Sequence, residues 1–220
     1  NTHCHGQHNP NAQYRTPFTV EQVLADKAIV HPFTRGMCAP VSDGASAVIL
    51  CSAEALKRIG AGSRAVKIRS MALLTTIERD KYDYAKHIGR RAALAAYNEA
   101  CVEPRDIDVV EVHDATAFST IQQIENLGLC KPGEVGVRLK EGDFKIGGYA
   151  PVNPSGGLLA KGHPVGATGI AQLFELTTQL RGEAGARQVS KARLGIAENG
   201  GGFLGVEEAV TTVVILERCS

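Results

Sequence analysis

Ile107-Asp108-Val109-Val110-Glu111-Val112 runs without a turn residue into His113-Asp114 and then into Thr116–Leu127, where Ala117, Ile121, Ile124 and Leu127 recur at helical spacing. A short, nearly continuous apolar run predicts a buried strand, and the period behind it predicts a helix that Gly128 stops. A strand that passes through a polar dipeptide straight into a helix is the unit of an α/β fold, where reacting groups collect in loops leaving the carboxyl ends of strands. His113 stands in such a loop.

The neighbouring segments repeat the pattern. Downstream, Cys130–Tyr149 reads as a loop rich in Gly and charge, and Val152–Thr168 is dense in glycine. A long helix follows over Ala167–Leu180, with Ile170, Leu173, Thr177 and Leu180 on one side and Gly182 to end it. Ala192–Ala197 and Ala209–Leu216 predict two strands joined by a glycine loop, Asn199–Gly205. Upstream, the alanine-rich Ala85–Cys101 predicts a helix interrupted by Gly89, and Ala65–Thr76 a strand with one wetter face. Ala45–Cys51 is an apolar run that predicts a second buried strand, followed by a helix over Ala53–Ile59 that Ser52 can cap. Residues 1–40 form a loop-rich entry with a short helix, Val20–Ala28, capped by Thr19. The whole implies an α/β fold with a mixed, mostly parallel sheet covered on both faces by helices.

Composition removes several functions. The 220 residues are 44% hydrophobic and 21% charged, which excludes a disordered chain. The 24 Lys+Arg nearly cancel the 23 Asp+Glu, so a net charge of +1 exerts no pull on nucleic acid. No stretch reaches the roughly 18 apolar residues of a membrane span, and the first residues have no signal-like apolar region, so a cytoplasmic protein is expected. Six scattered cysteines fit reduced thiols.

The most informative string is Asn153-Pro154-Ser155-Gly156-Gly157-Leu158-Leu159-Ala160-Lys161-Gly162-His163-Pro164-Val165-Gly166-Ala167-Thr168-Gly169. Proline one residue into a helix, with an imidazole before it, places His163 beside unpaired backbone N–H groups and the positive end of the helix dipole, which suits a developing oxyanion. The plainer alternative is a capping histidine over glycines that permit close packing.

This string, with Val112-His113-Asp114-Ala115-Thr116-Ala117-Phe118 before it and Gly200-Gly201-Gly202 after it, resembles the carboxyl-terminal half of the thiolase family. Within the family it is most similar to the branch of sterol-carrier-protein and archaeal acetoacetyl-CoA thiolases. His5–Arg15 and Pro40–Leu50 resemble the end of that family's loop region and of its first half, so residues 1–64 are expected to close the first half and 65–220 to form the C-terminal domain. The resemblance implies a layered α/β architecture, coenzyme A as co-substrate, no covalently bound cofactor, and an acyl group passed between a cysteine and CoA in lipid metabolism such as beta-oxidation. It also implies a homodimer or larger assembly.

Carried over residue by residue, the resemblance makes His163 the histidine that donates to the thioester oxygen and His113 the one facing it. Losing one such donor typically reduces rate by about 10²–10³. Ser155, Gly156, Gly157, Asn199 and Gly200 are the expected substrate-binding positions. Two departures stand out. The His-Asp-Cys-Phe cysteine is Ala115, with Thr116 in place of Phe, and an alanine cannot shuttle a proton. The Cys-x-Gly-Gly-Gly cysteine is Glu198, a substitute acid/base if burial raises its pKa, or else a carboxylate that merely bonds a glycine-loop amide.

None of the six cysteines lies in the family's nucleophile motif, so the acyl-accepting residue is expected from an N-terminal half or a second chain. The alternatives are retro-aldol cleavage of a CoA thioester, as in the thiolase-like enzymes of steroid side-chain degradation that work with an OB-fold partner, and a non-catalytic acyl-CoA-binding subunit. His3, Cys4, His5 and His8 lack the second ligand cluster of a zinc site, so no metal is expected. Arg15 and Arg35 are open to the phosphates of CoA or to solvent.

Overall fold

The computed structural model of the chain describes residues 1–219. It begins with α1 (Thr2–Gly6), α2 (Val20–Leu24), a small hairpin of β1 (Ala28–Val30) and β2 (Phe33–Thr34), and α3 (Ala53–Ile59). Thr19 and Gln22 form a reciprocal capping box at α2, which ends sooner than the sequence suggested. Ser52 caps α3 as expected, accepting the Ala55 N–H at 3.1 Å, and Gly60 at φ 67° stops it. Between these helices the expectation of a strand over Ala45–Cys51 fails. The segment is unpaired, and Ile49 is 92% and Leu50 75% exposed.

The rest builds one layered unit: β3 (Val66–Thr75), α4 (Ile88–Ala100), β4 (Val109–Glu111), α5 (Ala117–Asn126), α6 (Val135–Glu141), α7 (Thr168–Leu180), β5 (Leu194–Gly201) and β6 (Val210–Arg218). The sheet order is β3-β6-β5-β4. It is mixed, as expected, but only β4 and β5 run parallel, while β5–β6 and β3–β6 are antiparallel. The short connection from β5 to β6 permits only a hairpin. Residue alternation divides the core between the two faces. Leu194, Ile196, Val213 and Ile215 pack with Ala92, Ala96, Tyr97, Ile124 and Leu127 under α4 and α5, whereas Ala197, Val214 and Leu216 meet Leu176 and Leu180 of α7. Each large aliphatic side chain withdrawn in this way contributes about 1.5–3 kcal/mol.

Three further details depart from the sequence reading. α7 begins at Thr168, so Pro164 is not one residue into a helix, and His163 stands in the loop before α7 instead of beside its first free N–H groups. Gly89 lies in the first turn of α4, where its amide donates to His87 Nδ1, so it does not interrupt the helix. The expected loop Cys130–Tyr149 contains α6, whose buried anchor is Val135. No helix among the described residues is long and apolar enough to cross a membrane.

Candidate active site

The carboxyl end of β4 is fastened to the glycine-dense loop by side chains that the sequence left unassigned. Asn153, fully buried at φ 53°, accepts the Val112 N–H at 2.7 Å and donates to the Val112 carbonyl at 3.3 Å. Asparagine tolerates this left-handed backbone better than most residues. Glu111 accepts the Ser155 N–H and hydroxyl at 3.1 and 2.8 Å, and Asp114 accepts the Leu158 N–H at 2.6 Å. Gly157 is forced: at φ 51°, a Cβ would fall 2.4 Å from Asp114 Oδ2. The loop then makes one π-helical turn, Gly157–Lys161, a local geometry enriched at functional sites. The two motif strings therefore lock into one another.

This clamp brings His113 and His163 together. Their ring centroids lie 5.0 Å apart with planes at 79°. The Ser42 hydroxyl accepts the His163 backbone N–H at 3.3 Å. Thr168 Oγ1 lies 2.7 Å from His163 Nδ1; with Thr168 assigned as donor, the proton sits on Nε2. Burial, reinforced by the neighbouring His163, lowers the His113 pKa to about 4. Burial, with the Lys161 charge, lowers that of His163. Both rings are thus neutral near pH 7, and a neutral imidazole can donate to an oxyanion from one nitrogen.

Glu198 lies inside β5 and is fully buried. Its Oε2 accepts the backbone N–H of His113 at 3.1 Å, not a glycine-loop amide, and Oε1 has no protein partner. Burial pushes its pKa up to about 8, with help from the Glu208 and Asp114 charges and against the His113 amide. That value suits a group exchanging protons near neutrality.

The structure places the expected substrate-binding positions within the loop and the sheet. Ser155 is buried, its hydroxyl donating to Glu111 and accepting the Gly157 N–H at 3.1 Å, and Gly156 and Gly157 are buried with it. These residues shape the loop. Asn199 and Gly200 belong to the β5–β6 ladder, opposite Thr212 and Thr211, so the connecting loop begins later than expected. Asn199 turns to α7 and donates to Gln172 Oε1 at 3.0 Å. The Glu208 side chain covers Gly200.

The N-terminal histidines tie the chain together. His3 Nε2 is 2.9 Å from the Gly36 carbonyl; His5 Nδ1 reaches the Val152 and Asn153 carbonyls while Nε2 accepts the Ile146 N–H. Among the described residues no group of three or more His, Cys, Asp or Glu is placed to hold a metal ion. Arg35 pairs with Asp26. Cys38 bridges Thr116 by its backbone beside the site, but burial raises its thiol pKa, the opposite of what a nucleophile needs. Thr168, Ser42, Asn153 and Glu111 escaped the sequence reading as site residues. Thr168 and Asn153 lay within the quoted glycine string and Ser42 within Pro40–Leu50, but none was given a role there.

A family model described as "Thiolase C-terminal domain-like" matches residues 74–218. Among curated proteins, the chain is 43% identical over 201 residues to an acetyl-CoA acetyltransferase of Methanothermobacter thermautotrophicus, covering 91% of this chain and 52% of that protein. It is 40% identical over 203 residues to sterol carrier protein 2 of Oryctolagus cuniculus, covering 90% of this chain and 37% of that one. The chain thus spans about half, or less, of the length of these relatives. Among solved structures, "Ltp2-ChsH2(DUF35) aldolase" superposes with a TM-score of 0.77 at 20% identity over 99% of this chain and 56% of that one. Human mitochondrial 3-ketoacyl-CoA thiolase superposes at 0.66 and 21% identity, over 96% of this chain and 45% of that one.

Proposed function

Because the chain belongs to the thiolase family, we propose that it carries the oxyanion and proton-transfer half of an enzyme that forms and quenches an enolate on an acyl-CoA. The observation that carries this reading is the pair of imidazoles with ring centroids 5.0 Å apart, one from just beyond β4 and the other from the loop that leads into α7. A thioester carbonyl oxygen placed between them accepts from both, and each bond strengthens as charge moves onto that oxygen. Glu198 is the proton-handling group: its carboxylate takes the proton from the α-carbon, and its carboxylic acid returns one when the enolate is quenched.

The reaction proposed first is thiolysis of a 3-oxoacyl-CoA, or the reverse Claisen condensation, with CoA as co-substrate. The acyl-accepting cysteine then comes from an N-terminal half or a second chain, since none of the six cysteines lies in the family's nucleophile motif. A dimer or larger assembly belongs to the same proposal.

One observation favours a second reading. Ala115 occupies the position where a cysteine would shuttle protons, and the carboxylate Glu198 needs no acyl-cysteine to drive a retro-aldol cleavage. There the base takes the hydroxyl proton of a 3-hydroxyacyl-CoA, the Cα–Cβ bond breaks, a carbonyl compound leaves, and the enolate on the same oxyanion site is protonated. The likeness to the Ltp2-ChsH2(DUF35) aldolase fits this route, and an OB-fold partner belongs to this second reading.

The discriminating assay uses the full-length protein. Acetyl-CoA formed from 3-oxoacyl-CoA only when free CoA is added supports thiolysis. Acyl-CoA released from 3-hydroxyacyl-CoA without CoA consumption supports the aldol route. Neither activity, with unchanged acyl-CoA binding in His163→Ala, makes the chain a binding subunit and overturns the proposal.

A further inference from the structure

A buried polar cluster lies behind His113, on the sheet face covered by α4 and α5. Strand alternation puts Glu198, Gly200 and Thr211 on this face with the core residues Ile196 and Val213. Gly200 leaves room for Glu208, whose Cγ would lie 2.6 Å from a Cβ at that position. Glu208 Oε1 accepts from the Gln123 amide at 3.0 Å, and Glu208 Oε2 lies 3.8 Å from His87 Nε2. His87 is itself fixed through Nδ1 by Gly89 and Asn126.

The adjacent carboxylate shows what a purely structural acid looks like here. Glu207 is saturated: it accepts from Arg79, from the Thr76 hydroxyl at 2.6 Å and from the Ile88 N–H at 3.2 Å. Although burial opposes it, the bonds from Thr76 and Arg79 hold its pKa below the ordinary range. Glu208 has no cationic side chain locked to it. Four buried atoms around it have no protein partner: Glu198 Oε1, Glu208 Oε2, His87 Nε2 and Thr211 Oγ1. Internal water commonly pairs with polar atoms buried in this way. The Glu208 side chain is 19% exposed, although its Oε2 is buried, whereas Glu198 is fully buried, so Glu208 is the carboxyl of the pair nearer to solvent.

We propose that Glu208 is the proton-exchange group of the site, passing protons between Glu198 and solvent along a path lined by Thr211 and His87. This rests on Glu198 being the proton-handling group. When Glu198 takes a proton from the substrate carbon, an O–H bond forms at Glu198. That bond breaks as the proton moves through water to the Glu208 carboxylate and on to bulk water, so one proton leaves per enolate formed. The path runs in reverse when the enolate is quenched. The charged groups facing Glu198 are Asp114 and Glu208; those facing Glu208 are His87 and Glu198.

The test is infrared spectroscopy of the full-length protein below neutral pH, following the carbonyl stretch of protonated buried carboxyls on transfer from H2O to D2O. The Glu198 contribution is the band lost in Glu198→Gln, which separates it from Glu111 and Asp114. Glu208→Gln keeps the bond from Gln123 and removes the charge. It should slow deuteration of the Glu198 carboxyl by about tenfold or more. It should also shift the Glu198 midpoint downward, because a like charge has been removed. Glu208→Asp should restore faster exchange. Wild-type exchange in a folded Glu208→Gln overturns the relay but leaves Glu198 in place. If Glu198→Gln removes no band at any pH, the Glu198 reading fails and the relay with it. Should Glu208→Gln not fold, His87→Gln replaces it, and unchanged exchange there overturns the proposal.

Discussion

Two apolar runs in this chain look alike in sequence and end differently. Ala45–Cys51 and Ile107–Val112 are both short, nearly uninterrupted, and followed by a hydroxyl residue that caps a helix, Ser52 for α3 and Thr116 for α5. The second becomes β4, with Val109 and Val110 fully buried, a parallel ladder to β5 on one side and a bridge from Val110 to Val152 on the other. The first pairs with nothing among the described residues, and Val48, Ile49 and Leu50 face outward. An apolar pattern thus states a demand for cover, and neighbours decide whether it is met. β4 also delivers His113 to His163, so the run that found its partners is the one that carries the candidate site.

The contrast is most directly broken through the ladder partner of β4. Ile196→Ala on β5 removes a fully buried side chain between the sheet and the α4–α5 layer. It should reduce the free energy of unfolding by about 2–5 kcal/mol, read from denaturant midpoints. A loss below 1 kcal/mol would mean that this layer relaxes freely. Next comes His163→Ala, which leaves the sheet intact. Turnover of a CoA thioester by the full-length protein should fall by about 10²–10³ with the unfolding midpoint unchanged. An equal fall in stability would instead make His163 a structural cap.

A smaller effect comes from the carboxyls packed around β4. Glu111, Asp114 and Glu198 are fully buried, and burial pushes them up to about 8, 7 and 8. A carboxyl raised in the folded state stabilises the fold while protonated, and that stability disappears as pH rises from its unfolded value to its folded one. Buried histidines work in the other direction, His5 and His113 being lowered to about 4, but their contribution is complete by the ordinary histidine value of 6.5. Stability should therefore decline between about pH 6.5 and 8, and Glu198→Gln should remove about 2 kcal/mol of that decline. An identical pH profile in the variant would show that Glu198 is ionised in the fold.

Much of this layer was legible beforehand, and the comparison of runs shows where legibility stops. Strand and helix periods located β3, α4, β4, α5, α7 and both strands of the hairpin, and Ser52 and Thr19 capped where hydroxyls at helix starts should. His113 and His163 were singled out because motif and loop position agreed, and the structure sets their rings 5.0 Å apart. Ladder direction was legible only in part: the glycine connection marked β5 and β6 as a hairpin, but the mostly parallel sheet expected around them reduces to the single pair β4 and β5. The inward role of Ser155 also lay hidden: it depends on Glu111, forty-four residues away, turning its carboxylate to meet the loop. Glu198 was marked by its position in a motif, but its bond to the His113 amide depends on the parallel register of β4 and β5.

The smallest expected effect falls on the run that found no partner. Ile49 is 92% exposed, so Ile49→Ser gives up almost no burial in this chain, and the free energy of unfolding should change by less than about 0.5 kcal/mol. The same measurement on the full-length protein sharpens the comparison. If residues outside this sequence cover Ala45–Cys51, a hydroxyl placed there is desolvated without a partner and the cost rises to about 1–3 kcal/mol. Equal, small effects in both would show the run to be open in the complete protein as well. Burial at Ile49 would then be decided by the sequence around it, and the likeness of the two runs would be a likeness of composition alone.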